Sequence, residues 1–166
     1  MEKSKAQKLI TEMVEMAPKK TFANIPFATQ KALVSFLAIR GDTWSNLISE
    51  RLWGLREWQD CDWLEVIEAV KREQGSEMFR LFEVPTTLLT EHIYQTCFDI
   101  NSDYASWQEY HEWYLSSCSQ PEESDTKGTP ACIYSGDEEV LEDGWLYLHS
   151  YVASGRETIP LVLLFL

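Results

Sequence analysis

Carboxylates are the residues in this sequence with the most chemistry to offer. Glu109 and Glu112 stand three apart in a segment of helical spacing, so their side chains are neighbours on one face. Adjacent carboxylates can serve a hydrolase as acid and base, as can Asp137 and Asp143, but they equally suit a cation or a basic partner. Asp137, Glu138, Glu139, Glu142 and Asp143 offer the oxygen ligands that magnesium and calcium take, yet the calcium-loop spacing with its central glycine is absent. Cys61, Cys97, Cys118 and Cys132 are irregularly spaced without a Cys-x-x-Cys pair, and nothing in the placement of His92, His111 and His149 favours zinc. Reduced cysteines with packing roles are the expectation. There is no phosphate-cradling glycine loop, no Gly-x-Ser-x-Gly turn and no His-Glu-x-x-His helix. These residue types point to binding before catalysis, with no catalytic residue, metal or cofactor expected.

Charge is the strongest compositional signal. The chain of 166 residues carries a formal net charge of −13. Residues 1–40 hold seven Lys/Arg against three Asp/Glu, residues 41–75 four against eight, and residues 76–166 three against sixteen. Between Leu81 and Gly155 the only Lys or Arg is Lys127. A field of that sign repels phosphate backbones, which argues against direct nucleic-acid binding by the carboxyl-terminal half. A hydrophobic content of 45%, with seven each of Trp, Tyr and Phe, supports a folded core and argues against global disorder. No run of about 18 apolar residues occurs, and the amino end lacks an apolar signal region, so a soluble cytoplasmic protein without a membrane span is expected.

The elements that must position these groups follow from periodicity. Ser4 to Ala17 has apolar residues at helical spacing and stops at Pro18; Lys19 to Pro26 reads as a linker. Phe27 to Ile39 is a second helix, and Asp42 or Thr43 can cap a third through Leu55. Asp60 or Asp62 can start a fourth, Trp63 to Gln74, stopped by Gly75. Trp53, Trp58 and Trp63 lie five residues apart, a spacing that does not keep one helical face. They are core packing residues or, on the sharper reading, a partner hot spot. Met78 to Val84 alternates as a strand, and Thr86 or Thr87 begins a helix to about Cys97. Ser106-Trp107-Gln108-Glu109 has the form of a capping box opening a helix to Leu115. Residues 116–130 form an acidic loop with Glu122, Glu123 and Asp125. Ala131 to Tyr134 and Glu139 to Leu141 suit a hairpin, followed by a ten-residue helix, a stop at Gly155 and a buried strand from Thr158 to Leu166.

The segment Asp143-Gly144-Trp145 through Gly155-Arg156-Glu157-Thr158-Ile159-Pro160 resembles the ParB/sulfiredoxin-like superfamily. Members carry an Asp-Gly or Gly-Gly step, one further residue, His-Arg, a helix and an Ile-Pro strand. Glu83-Val84-Pro85-Thr86-Thr87 matches the family's opening Val-Pro step, so the resemblance covers residues 78–166. In the family the His-Arg pair binds nucleotide phosphates, and sulfiredoxins place a nucleophilic cysteine just before it. Trp145, Leu146 and Tyr147 occupy those three positions here. The resemblance therefore implies the scaffold while removing its working residues, and Asp143, Gly144 and Trp145 are expected to shape a turn.

The fold expected is α+β: a helical unit over residues 1–76, then a small mixed-sheet ParB/sulfiredoxin-like domain over residues 77–166. The function expected is non-catalytic binding of a basic protein through Glu109, Glu112, Glu122, Glu123, Asp125, Asp137, Glu138, Glu139, Glu142 and Asp143. The sharpest form is a nucleic-acid mimic from a phage or mobile element that inhibits a host defence nuclease, as anti-CRISPR and anti-restriction proteins do. The alternative is a ParB-like nucleotide-binding protein with a degenerate site. Opposite charges on the first 40 residues and the remainder also allow a homo-oligomer.

Overall fold

The computed structural model describes residues 4–40, 62–117 and 129–164, in which an α+β fold is built on one five-stranded mixed sheet. Helix α1 (Lys5–Met16) starts where the Ser4 hydroxyl accepts from the Gln7 N–H at 3.1 Å. Pro18 follows its end, and the Arg80 guanidinium donates to the carbonyls of Glu15 and Ala17, where a helix's free acceptors favour a cation. The supposed linker then forms strand β1 (Lys19–Thr21) and a short 3₁₀ turn. That reading is corrected by pairing: β1 lies antiparallel to β2 (Met78–Pro85), with Lys20 opposite Phe79. Three residues with two exposed lysines carry no alternation to reveal an edge strand.

Helix α2 (Phe27–Arg40) and helix α3 (Trp63–Gln74) follow, α3 capped by Asp62 accepting from the Glu65 N–H. Then come α4 (Thr86–Thr96), the short α5 (Phe98–Asp103), and α6 (Trp107–Ser117). The capping box is present: Ser106 Oγ accepts from the Glu109 N–H, and the Glu109 carboxylate accepts from the Ala105 N–H. Strands β3 (Cys132–Ser135) and β4 (Val140–Asp143) form the hairpin, α7 spans Trp145–Ala153, and β5 is Thr158–Leu164.

The sheet order is β1-β2-β5-β3-β4, antiparallel throughout except where β3 and β5 run side by side. The apolar run of β5 is covered on both faces, which is why it shows no polar alternation. Val162 and Leu164 join Phe79, Ile133, Leu33, Val34, Ile67 and Val70 in a core under α2 and α3. Ile159, Leu161 and Leu163 join Val84, Tyr134, Leu89, Ile93 and Leu148 in a second core under α1 and α4 to α7. The sheet is thus the middle of three layers. Among the described residues no helix is long and apolar enough to cross a membrane.

Candidate functional site

Three features carry chemistry: an acidic helical face, a cleft at the β4–α7 turn, and buried histidine networks. The acidic face runs along α4, α5 and α6. Glu91, Asp99, Asp103, Glu109 and Glu112 are all exposed there, and no Lys or Arg occurs from Thr86 to Ser117. Glu91 accepts from Gln95 and Glu112 from Gln108, so the bonds they make are to neutral amides and leave the charge in place. None of the five forms an ion pair with a described residue. Phe98, 81% exposed, and Trp113, 46% exposed, stand among them.

The other acids singled out in the sequence divide. Asp137 and Glu138 are exposed in the β3–β4 turn, Asp143 is exposed at the end of β4, and Glu142 is half-buried. Glu139, at φ 56°, turns its carboxylate onto α1, accepting from Gln7 Nε2 at 2.6 Å and Thr11 Oγ1 at 3.0 Å. It ties the hairpin to the first helix. Glu122, Glu123 and Asp125 lie outside the described residues, as do Trp53, Trp58 and the third expected helix. Trp63 is half-buried at the start of α3, packed on the core with Lys31 Nζ 5.3 Å above its ring.

The cleft, of about 430 Å³, opens between α2 and the β4–α7 turn. Ala28, Lys31, Ala32 and Ser35 of α2 share a face through helical spacing and form one wall. Tyr114, Ala131 and Ile133 line it further, and Asp143 to Tyr147 form the opposite side. Gly144 turns at φ 93°, and a Cβ there would meet Cys132 Cα at 3.0 Å, so two separate constraints require glycine. Gly144 stands at the N-cap of α7 and supplies no side-chain cap. Among the described lining residues Lys31 is the one cation, and Leu146 and Tyr147 add none. Burial, with Asp143 nearby, pushes the Cys132 thiol up to about 12, so it stays a neutral thiol donating to Gly144 O.

The histidines do not gather around a metal; among the described residues no three His, Cys, Asp or Glu side chains are so placed. His92 Nε2 lies 2.9 Å from the Glu139 carbonyl and 3.1 Å from Tyr134 Oη, while its Nδ1 has no partner. A carbonyl demands a donor, so the proton sits on Nε2 and Nδ1 is left as an unpaired acceptor. Burial holds this imidazole below its ordinary pKa, partly offset by Glu139. His111 and His149 are also buried and face each other with Nδ1 atoms 2.7 Å apart. Sequence reading did not find this pair. Its signal was the spacing of Trp107, Tyr110, His111 and Tyr114 on one helical face, visible only once a partner ring was known to meet it.

No protein-family model matches the chain, and no curated protein or solved structure matches it either.

Proposed function

We propose that this protein is a non-catalytic acidic binder that engages a basic protein surface through the face built by α4, α5 and α6. One observation carries the reading: five exposed carboxylates on three consecutive helices, with no Lys or Arg among them. Such a surface speeds encounter with a positively charged partner and excludes nucleic acid, which it resembles in charge. Phe98 and Trp113 supply apolar and aromatic area of the kind that anchors an interface. The partner class that fits is an enzyme or complex with a basic channel for DNA or RNA, and the finer form is inhibition of a host defence nuclease by a phage or mobile-element protein. Retention of such an enzyme by the immobilised protein at low salt, and its release at high salt, is the expected result. Retention indifferent to salt, or of no nucleic-acid-handling protein, would count against it.

A second reading rests on the cleft. Its volume suits a small molecule, and α7 begins at its edge with N–H groups free of a side-chain cap. A degenerate nucleotide site in the ParB/sulfiredoxin manner is the form it takes. Asp143 at the rim and a single lining lysine weaken it for a polyphosphate. Thermal denaturation with CTP or ATP and magnesium separates the two: no shift is expected of the acidic binder, and a shift of several degrees favours the nucleotide.

A further inference from the structure

Four rings of helix α6 converge on one ring of α7. Trp107, Tyr110, His111 and Tyr114, at i, i+3, i+4 and i+7 of α6, all meet His149 of α7. Tyr114 lies flat on it at 3.7 Å and 11°, Trp107 is parallel at 5.2 Å, and Tyr110 stands edge-on. The His111 and His149 planes differ by 8° with centroids 5.0 Å apart, so the rings lie edge to edge along the 2.7 Å line between their Nδ1 atoms. A contact that short between two nitrogens is a hydrogen bond with one proton in it.

The protons can be placed. His149 Nε2 is buried without a partner, and an unpaired lone pair costs less there than an unpaired N–H. His149 therefore carries its proton on Nδ1 and donates to His111 Nδ1, and His111 carries its own on Nε2. A third proton has only His149 Nε2 left to occupy. There it would make a cation whose N–H is shut in among aromatic rings, with no acceptor within reach.

We propose that the His111–His149 pair is an acid-operated latch: proton uptake releases α6 from α7 while the sheet and the α2–α3 layer stay folded. The inference does not depend on the acidic face binding a partner. Helix α6 packs against α4 and α7, and α7 against α6 and β3. The ionisable groups on those elements are Glu91, His92 and Tyr94 on α4, Glu109, Tyr110, Glu112 and Tyr114 on α6 besides His111, Tyr147 and Tyr151 on α7 with Asp143 before it, and Cys132 and Tyr134 on β3. Glu112 draws His111 upward, but burial outweighs it, and burial with His111 beside it holds His149 at about 3. Released into water, both imidazoles return to an ordinary value near 6.5. Over most of that interval His149 stays unprotonated in the closed seam, while the open seam leaves both imidazoles accessible and can bind two protons.

Amide hydrogen exchange along α6 in the full chain, corrected for the intrinsic pH dependence of exchange, measures the opening equilibrium. Below about pH 6 it should rise by up to about 100-fold per pH unit, the slope of two protons, with the amides of β5 and α3 still protected. His111→Gln keeps an amide hydrogen to donate or an oxygen to accept but cannot titrate, so its slope should fall to about 10-fold per pH unit. His149→Gln should do the same, which keeps the test alive if either variant folds poorly. Constant α6 protection from pH 7 to 4.5, an unchanged slope in both variants, or simultaneous loss of protection in β5 would each overturn the latch.

Discussion

Against one face of the sheet, α2 and α3 bury Leu33, Val34, Ile67 and Val70, and the polar side chains hidden with them are satisfied. Thr29 accepts from the Ala131 N–H and Gln30 donates to the Phe22 carbonyl. Against the other face, α4, α6 and α7 bury three imidazoles and the Tyr134 phenol, and His92 Nδ1, Trp107 Nε1 and His149 Nε2 have no partner. The first layer rests on area removed from water and its core holds no ionisable side chain among the described residues; burial in the second disfavours the charged form of its imidazoles. The layer with the costly polar groups also carries the acidic outer face.

Truncation inside the first layer should have the largest effect. Ile67, 1% exposed, cut to alanine should cost about 3 kcal/mol by chemical denaturation, equally at pH 7 and pH 5.5. A cost that changed between those pH values would erase the contrast. Gly144→Ala, which forces a Cβ against Cys132 at φ 93°, should cost about 2 kcal/mol, read as a lowered denaturation midpoint.

Acidification sharpens the comparison from the other side. His149 is held at about 3 in the folded chain against about 6.5 unfolded, so the unfolded chain takes the proton first. Its contribution is fully present above pH 6.5 and is lost as pH falls towards 3, about 2 kcal/mol between pH 7 and 5. His92 and His111 are depressed in the same direction and add to the loss. Denaturation midpoints measured across that range should fall, and less so in His149→Gln. The smallest effect belongs to Tyr134→Phe, which removes the hydroxyl beside His92 Nε2 but leaves the Glu139 carbonyl in place, about 1 kcal/mol.

Much of the apolar layer was legible in the sequence. Asp62 and Gly75 bracket α3, the spacing of Leu33, Phe36 and Leu37 marks α2, and the unbroken run after Thr158 announces a strand covered on both sides. Local signals also marked α6 through Ser106 and Glu109. Strand β1 was not legible, because its only reason to be extended is Met78 to Arg80 alongside it. The short α5 was missed within a stretch that offers no periodicity over six residues. The histidine pair joins residues 38 apart in sequence, and no local pattern encodes a contact between two helix faces. Glu139 looked like one more surface acid, and only its left-handed backbone turns it onto Gln7 and Thr11.

The acidic face is tested most directly by reversing its charge where no bond to the backbone depends on it, the one side-chain bond lost being that from Gln108 to Glu112. Asp99→Lys, Asp103→Lys and Glu112→Lys together change the sign along α5 and α6 while leaving the Glu109 cap intact. Affinity for the basic nucleic-acid-handling partner retained at low salt should fall at least 100-fold, and the dependence on salt should flatten. Undiminished affinity in a variant with an unchanged denaturation midpoint would contradict the account.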